Sequence, residues 1–236
     1  MTEEVVAVGS QLPKGVSPGL RPLVSSGEIV RYVPIAGTHG WRDAWWSSDK
    51  SPFALMMANN GFSVIRTRDG RSFRWSTDLN GLKFWARNSD WEAGADALFY
   101  FLENVAYRDR NLIAHSHGGQ VALLAASQGL KIRTLTTVGT PIRADIPVDD
   151  ARRNVGLWQH IYDKHRDWFA LLGQMGDREI ILRRSFRLSG VLNFPLVGIR
   201  HTGVLRDETL LSLWAVNGWL TNIRNSPPHT SPPVAA

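Results

Sequence analysis

The residues best placed for chemistry lie in the stretch Arg110 to Gln128, RNLIAHSHGGQVALLAASQ. Asn111-Leu112-Ile113-Ala114 is a short apolar run of the kind that makes a buried parallel strand. Gln120 to Gln128 is rich in Ala and Leu and reads as a helix. Between them stands Ser116, in Ala114-His115-Ser116-His117-Gly118, with Gly119 following. A strand that turns sharply into a helix puts its central residue in a strained conformation and leaves room only for small residues two before and two after. Ala114 and Gly118 meet that demand. The serine hydroxyl then stands clear of the backbone at the positive end of a helix, where a nucleophile is favoured. The plainer alternative is a serine that caps the helix. A serine hydroxyl is a weak nucleophile at neutral pH. It needs a base within hydrogen-bond reach, oriented in turn by an acid.

This strand, serine and helix resemble the nucleophile elbow of the α/β-hydrolase family, with Ala114 standing where Gly is usual. The resemblance implies Ser116 as nucleophile and a triad in the chain order Ser, then Asp or Glu, then His. Of the seven histidines, the one that follows such an acid just ahead of a final helix is His201, and His201-Thr202-Gly203-Val204-Leu205 resembles the family's run around its base. The acid belongs after the strand that ends near Tyr162. Asp167-Trp168-Phe169 fits an acid followed by apolar residues that pack inward, so Asp167 is expected, with Asp163 as its competitor. The oxyanion would be held by two backbone N–H groups. One belongs to His117, directly after the nucleophile. The other belongs to Thr38, after Ala36-Gly37, or in a competing register to Trp41.

The elements that must position these residues follow from pattern. Glu28 to Ala36 reads as a strand entering the core. Ser51-Pro52 is an N-cap and first turn, Phe53 to Asn59 a helix, and Gly61 its stop. Phe62 to Arg66 is the next strand, and Asp69 to Asp90 a long irregular excursion. Trp91 to Val105 is amphipathic, with Ala95, Leu98, Phe99 and Leu102 on one face. Ile132 to Val138 is a β-branched run that ends in Gly139-Thr140-Pro141, a tripeptide similar to one common in the family at this point. Trp158 to Tyr162 is another strand, Glu179 to Leu188 a basic β-rich segment, and Glu208 to about Ile223 a last helix. The alternation predicts an α/β fold, a mostly parallel, doubly wound sheet with helices on both faces. Pro141 to Asn154 leaves little or no room for a cap domain. The expected division is an N-terminal arm over residues 1–27, with room for one edge strand, a catalytic domain over 28–223 and a disordered Pro-rich tail over 224–236.

At 236 residues and 43% hydrophobic, the chain can bury one good core and is too short for two ordinary catalytic domains. The absence of cysteine excludes disulfides, thiolate metal sites and a cysteine nucleophile. The formal charge of +6 comes with two arginine groups, Arg66, Arg68, Arg71 and Arg74, and Arg183, Arg184 and Arg187. They read as a solvated basic face, since no nucleic-acid-binding signature accompanies them. The acidic N-terminal residues lack the pattern of a signal peptide and no run reaches the length of a membrane span. A cytoplasmic protein without an integral membrane segment is therefore expected.

The resemblance implies a serine hydrolase that cleaves carboxylic esters with short-to-medium acyl chains through an acyl-enzyme, of esterase or lipase type, with no cofactor and no metal. The partner is a small-molecule or lipid ester. The ten tryptophans are concentrated in loops on this reading. Trp41, Trp45, Trp75 and Trp85, with Trp46 and Phe73, are candidates for the wall of the acyl pocket, though large side chains also serve simply to pack long loops. An acyltransferase that uses the same acyl-enzyme is an alternative, and so is a non-catalytic binding module on the same fold.

Overall fold

In the computed structural model, the structure describes residues 6–7, 28–37, 50–66, 70, 72–75, 88–142, 145–163, 187–199 and 201–227. Six strands form the body of one sheet: β2 (Val30–Ile35), β3 (Phe62–Val64), β4 (Asn111–His115), β5 (Ile132–Val138), β6 (Val155–Asp163) and β7 (Leu192–Val197). A two-residue segment, β1 (Val6–Ala7), extends the edge beyond β7. The order is β1-β7-β6-β5-β4-β2-β3, and every pair is parallel. The expected parallel, doubly wound sheet is present.

Successive strand residues point to opposite faces, and the sequence loads both faces with apolar side chains. Val33, Ile35, Leu112, Ala114 and Leu135 pack on one side, against α2 (Asn88–Glu103), α3 (His117–Ser127) and α4 (Val148–Arg153). Tyr32, Ile113, Val138 and Ile161 pack on the other. There they meet α1 (Pro52–Asn59) and four short helical segments, α5 (Gly203–Arg206), α6 (Glu208–Leu211), α7 (Leu213–Val216) and α8 (Trp219–Asn225). An aromatic chain runs through this second layer. Phe53 meets Trp214 edge-on at 5.3 Å, and Trp214 meets Trp219 at 5.4 Å, a geometry that suits the ring quadrupoles. Helix α1 begins as expected, with Ser51 Oγ accepting the Ala54 N–H at 3.1 Å and Pro52 in the first turn.

Several polar groups buried among the strands bond to one another. Asn111, fully buried at the start of β4, accepts from Thr134 Oγ1 and Arg133 Nη1 and donates to the Arg31 and Arg108 carbonyls. Arg133 goes on to clamp the end of α8, donating to the carbonyls of Ile223, Arg224 and Ser226. A cation at a helix C-terminus offsets the carbonyls that have no partner within the helix. Arg224 reaches back to the Asn60 carbonyl and lies 5.2 Å over the Phe62 ring.

Several expectations change. The expected last helix from Glu208 is three segments, α6, α7 and α8, with Ser212 between the first two and Gly218 at a left-handed φ of 71° before the third. The last of these segments ends at Asn225, just beyond the expected helix end near Ile223. Strand β7 was not legible as one, since Asn193 and Pro195 interrupt its pattern. Arg187 and Leu188, at the end of the expected basic β-rich segment, lie outside any strand. The described tryptophans, Trp75, Trp91, Trp158, Trp214 and Trp219, are core residues, four of them on regular elements. Among the described residues, no helix is long and apolar enough to cross a membrane.

One buried polar group carries a titration. His160, fully buried in β6, has Nδ1 at 2.8 Å from Thr137 Oγ1, which also accepts the Trp158 indole N–H at 3.0 Å. Burial pushes its pKa from 6.5 down to about 3. The unfolded chain therefore binds a proton that the folded chain refuses, and stability is full above pH 6.5 and is lost as pH falls from there toward 3. This one residue should contribute a slope of at most about 1.4 kcal/mol per pH unit within that window. Urea unfolding of the wild type and His160→Asn across pH 3 to 7 should show a flatter acid limb in the variant, whose amide keeps the Thr137 contact without titrating. Parallel curves would place the acid lability elsewhere.

Candidate active site

The reactive ends of a parallel sheet are its C-terminal ends, and the candidates gather there. Gly37 follows β2, Ser116 follows β4, Gly139 follows β5, Asp163 ends β6 and His201 follows β7. Register brings these ends level: Ile35 pairs with Ala114, His115 with Val138, Val138 with Ile161, and Asp163 with Leu196.

Ser116 has φ 53° and ψ −131°, and among the described residues it alone takes a positive φ without being glycine. A backbone there costs on the order of 1–3 kcal/mol and persists only where the surroundings enforce it. They do so on every side. The Ser116 N–H donates to the Val138 carbonyl at 2.9 Å, which carries the ladder through the turn. A Cβ on Gly37 would come within 2.8 Å of Ser116 Cβ. A Cβ on Gly118 would run into the carbonyl oxygens of Ala36 and Ile35, and one on Gly119 would fall inside the Thr140 side chain. The helix that follows begins without a side-chain cap from Ser116, so the serine hydroxyl is not spent on the helix end. This disposes of the capping alternative.

The loops around the serine are anchored from behind. The Trp75 indole N–H donates to the Ala36 carbonyl at 2.7 Å, which fixes the peptide leading into Gly37. Trp75 itself is buried against Gly94, and Phe73 is buried in the same core. Gln120 Nε2 donates to the Pro141 carbonyl at 2.9 Å and ties the loop after β5 to α3. The His117 ring packs on Trp91, with centroids 5.1 Å apart.

His201 meets His115, the residue directly before Ser116. His115, buried directly before Ser116, has Nε2 at 3.2 Å from the His201 carbonyl, and the two rings lie 4.6 Å apart. A carbonyl can only accept, so the proton on His115 sits on Nε2. Burial first, then the nearby His201, hold the His115 pKa well below its ordinary value, although the His201 carbonyl pulls the other way. His115 is therefore neutral at physiological pH. Asp163 is buried, 2% exposed, at the end of β6. Asp167, Thr38, Trp41, Trp45, Trp46 and Trp85 lie outside the described residues. Sequence reasoning did not find His115 or Trp75 as supports of the turn. Their partners stand 86 and 39 residues away, so no local pattern marks them.

The packing of the turn is testable without any assay of activity. Gly119→Ala should cost about 1–3 kcal/mol, as overpacking does, read from the urea midpoint. Thr140→Ala beside it should recover part of the loss, since it removes Oγ1 and Cγ2, the two atoms the new methyl meets most closely. Strictly additive losses in the double mutant would show that the two sites do not press on each other.

No family model and no curated protein matches the sequence. Solved structures do. The chain is similar to the esterase domain of a Rhodothermus marinus protein, at 14% identity and a TM-score of 0.50 over 86% of this chain and 89% of that one. It is similar to a predicted hydrolase from Thermoplasma acidophilum, at 12% identity and 0.52 over 84% and 89%. A third likeness is to an α/β serine hydrolase without a lid from Xanthomonas campestris, at 17% identity and 0.50 over 89% and 88%. A parallel sheet in this order, a strained serine between β4 and α3, and these likenesses together show that the chain has the α/β-hydrolase fold.

Proposed function

We propose that the chain is a serine hydrolase that cleaves carboxylic esters through an acyl-enzyme, with Ser116 as nucleophile and His201 as base. The observation that carries this reading is Ser116 itself, held at φ 53° at the N-terminus of α3 with His201 packed on the residue before it. Strain of this kind at a serine, enforced by close-packed glycines, places a hydroxyl where a substrate carbonyl can reach it. His201 would accept the hydroxyl proton as the serine oxygen bonds to the carbonyl carbon, and would return it to the departing alcohol. Water, activated by the same imidazole, would then release the acid. The developing oxyanion would be held by the N–H of His117, in the first turn of α3 where helix N–H groups lack acceptors inside the helix, and by the N–H of Thr38 after Gly37.

The acid is assigned to Asp167 on its sequence pattern. Asp163 is the second reading, favoured by its burial at the end of β6 beside β7, since a carboxylate out of water needs a positive or donating partner. The acyl pocket is assigned to the loops bearing Trp41, Trp45 and Trp85. The likeness to the esterase domain and to the lid-less serine hydrolase supports an enzyme with direct access to its serine, and burial of an acyl chain adds roughly 0.8 kcal/mol per methylene until the pocket is full.

Ser116→Ala should keep the urea midpoint and lose labelling by a fluorophosphonate, along with a thousandfold or more, roughly, of the turnover of nitrophenyl esters. Near-normal turnover in that variant would reject the nucleophile. Asp167→Asn should lower turnover severely while Asp163→Asn lowers it far less. The opposite ranking, at matched folded fractions, would move the acid to Asp163.

A further inference from the structure

Buried histidines outside the catalytic roles deserve a reason, because a buried imidazole is worth its polar cost only if its nitrogens are used. His160 spends one on Thr137, inside the sheet. His115 spends one on the main chain of His201. The two cases differ in what they hold. The Thr137 contact joins two strands already paired by the sheet. The His201 contact joins a loop to the strand that ends at the nucleophile.

That loop needs holding. His201 lies between β7 and α5, in a turn flanked by a left-handed Gly198 and the short α5 segment. Connections of this kind have more freedom than the elements they join. Nucleophile and base, however, must keep a separation good to a fraction of an ångström, and a misplacement of about 1 Å costs on the order of a hundredfold in rate. His115 supplies two constraints at once. Its Nε2–H fixes the position of the His201 carbonyl, and hence of the main chain from which the imidazole projects. Its ring, 4.6 Å away at 52°, backs the His201 ring from the core side.

We propose that His115 is a positioning residue for His201, by which the strand that carries the nucleophile also sets the place of the base. The proposal rests on the reading of Ser116 and His201 given above. Because β4 delivers His115 and Ser116 as adjacent residues, any small shift of the strand end moves the nucleophile and the support of the base together. The low proton affinity of His115 fits the task. A neutral ring does not oppose the imidazolium that forms on His201 when it takes the serine proton, whereas a cation at 4.6 Å would.

The test compares His115→Met, which has similar reach and no donor, with His115→Gln, whose amide nitrogen reaches about as far as imidazole Nε2. A fluorophosphonate reports the reactivity of Ser116 without knowledge of the natural substrate, and its labelling rate is normalised to the folded fraction from near-UV circular dichroism. The wild type should label at Ser116, His115→Met should label roughly 10- to 100-fold more slowly, and His115→Gln should recover most of that loss. With a nitrophenyl ester the loss should fall in kcat, with KM changed by no more than about threefold, as expected for an interaction that matters at the reacting atoms. If His115→Met does not fold, His115→Asn replaces it, since its shorter amide stops short of the His201 carbonyl. Labelling of His115→Met at the wild-type rate would overturn the proposal, as would His115→Gln remaining as slow as His115→Met at equal folded fraction. A wild type that does not label at Ser116 at all would overturn the serine-hydrolase reading, and this proposal with it.

Discussion

The rest of the structure depends on a lack of space around one turn. Between β4 and α3 the chain reverses within a single residue, and the room on either side is that of a hydrogen atom. Gly118 lies on the carbonyls that end β2, Gly119 lies on Thr140 after β5, and Gly37 lies on Ser116. These contacts draw three neighbouring strand ends onto the same few atoms. A close-packed interior does not deform continuously, so the positive φ of Ser116 is the one conformation compatible with all three. The strain is not an isolated defect. It is the form in which the packing of β2, β4, β5 and α3 is expressed at a single residue.

The two ends of the sheet are built from different chemistry. At the N-terminal ends, buried polar side chains are consumed in structure: Asn111 uses its carbonyl and amide on four partners, and Arg133 and Arg224 tie the last helix to the starts of the strands. At the C-terminal ends, glycines and backbone groups make the close contacts, and side chains with reactive atoms remain half-exposed above them. Trp75 and His115 mark the boundary. Each is buried, and each uses a ring N–H on a carbonyl that leads into the site rather than on a strand neighbour.

What the sequence made legible was local. The apolar run at Asn111, the Ala- and Leu-rich run after Gly119 and the small residues around Ser116 all state their structure within a few positions, and tertiary packing agrees with them. The order of strands and helices followed, and with it the fold. What was not legible was set by contacts far along the chain. Strand β7 carries Asn193 and Pro195, residues that argue against a strand, yet it pairs with β6 from Leu192 to Leu196 and Pro195 sits opposite Tyr162. The C-terminal helix reads as continuous by composition, but it breaks at Ser212 and again where Gly218 turns left-handed, between Trp214 and Trp219. The tryptophans look like loop residues when adjacent sequence is irregular; Trp75 is instead pinned by a carbonyl met only when the chain is folded. Of the site, the contact of His201 with His115, the residue before the serine, had no sequence signal beyond a histidine at that position.

The clamp of Arg133 on Ser226 has a practical meaning for anyone who handles the protein. It fastens the end of α8 at the starts of the strands, beside Asn111 and Glu28, the full depth of the sheet away from Ser116. Ser226 itself lies at the end of the sheet opposite Ser116. A resin, a sensor surface or a fused domain joined there would hold the protein with its serine facing outward, and the attachment would pull on a helix end secured by a guanidinium instead of on a loop of the site.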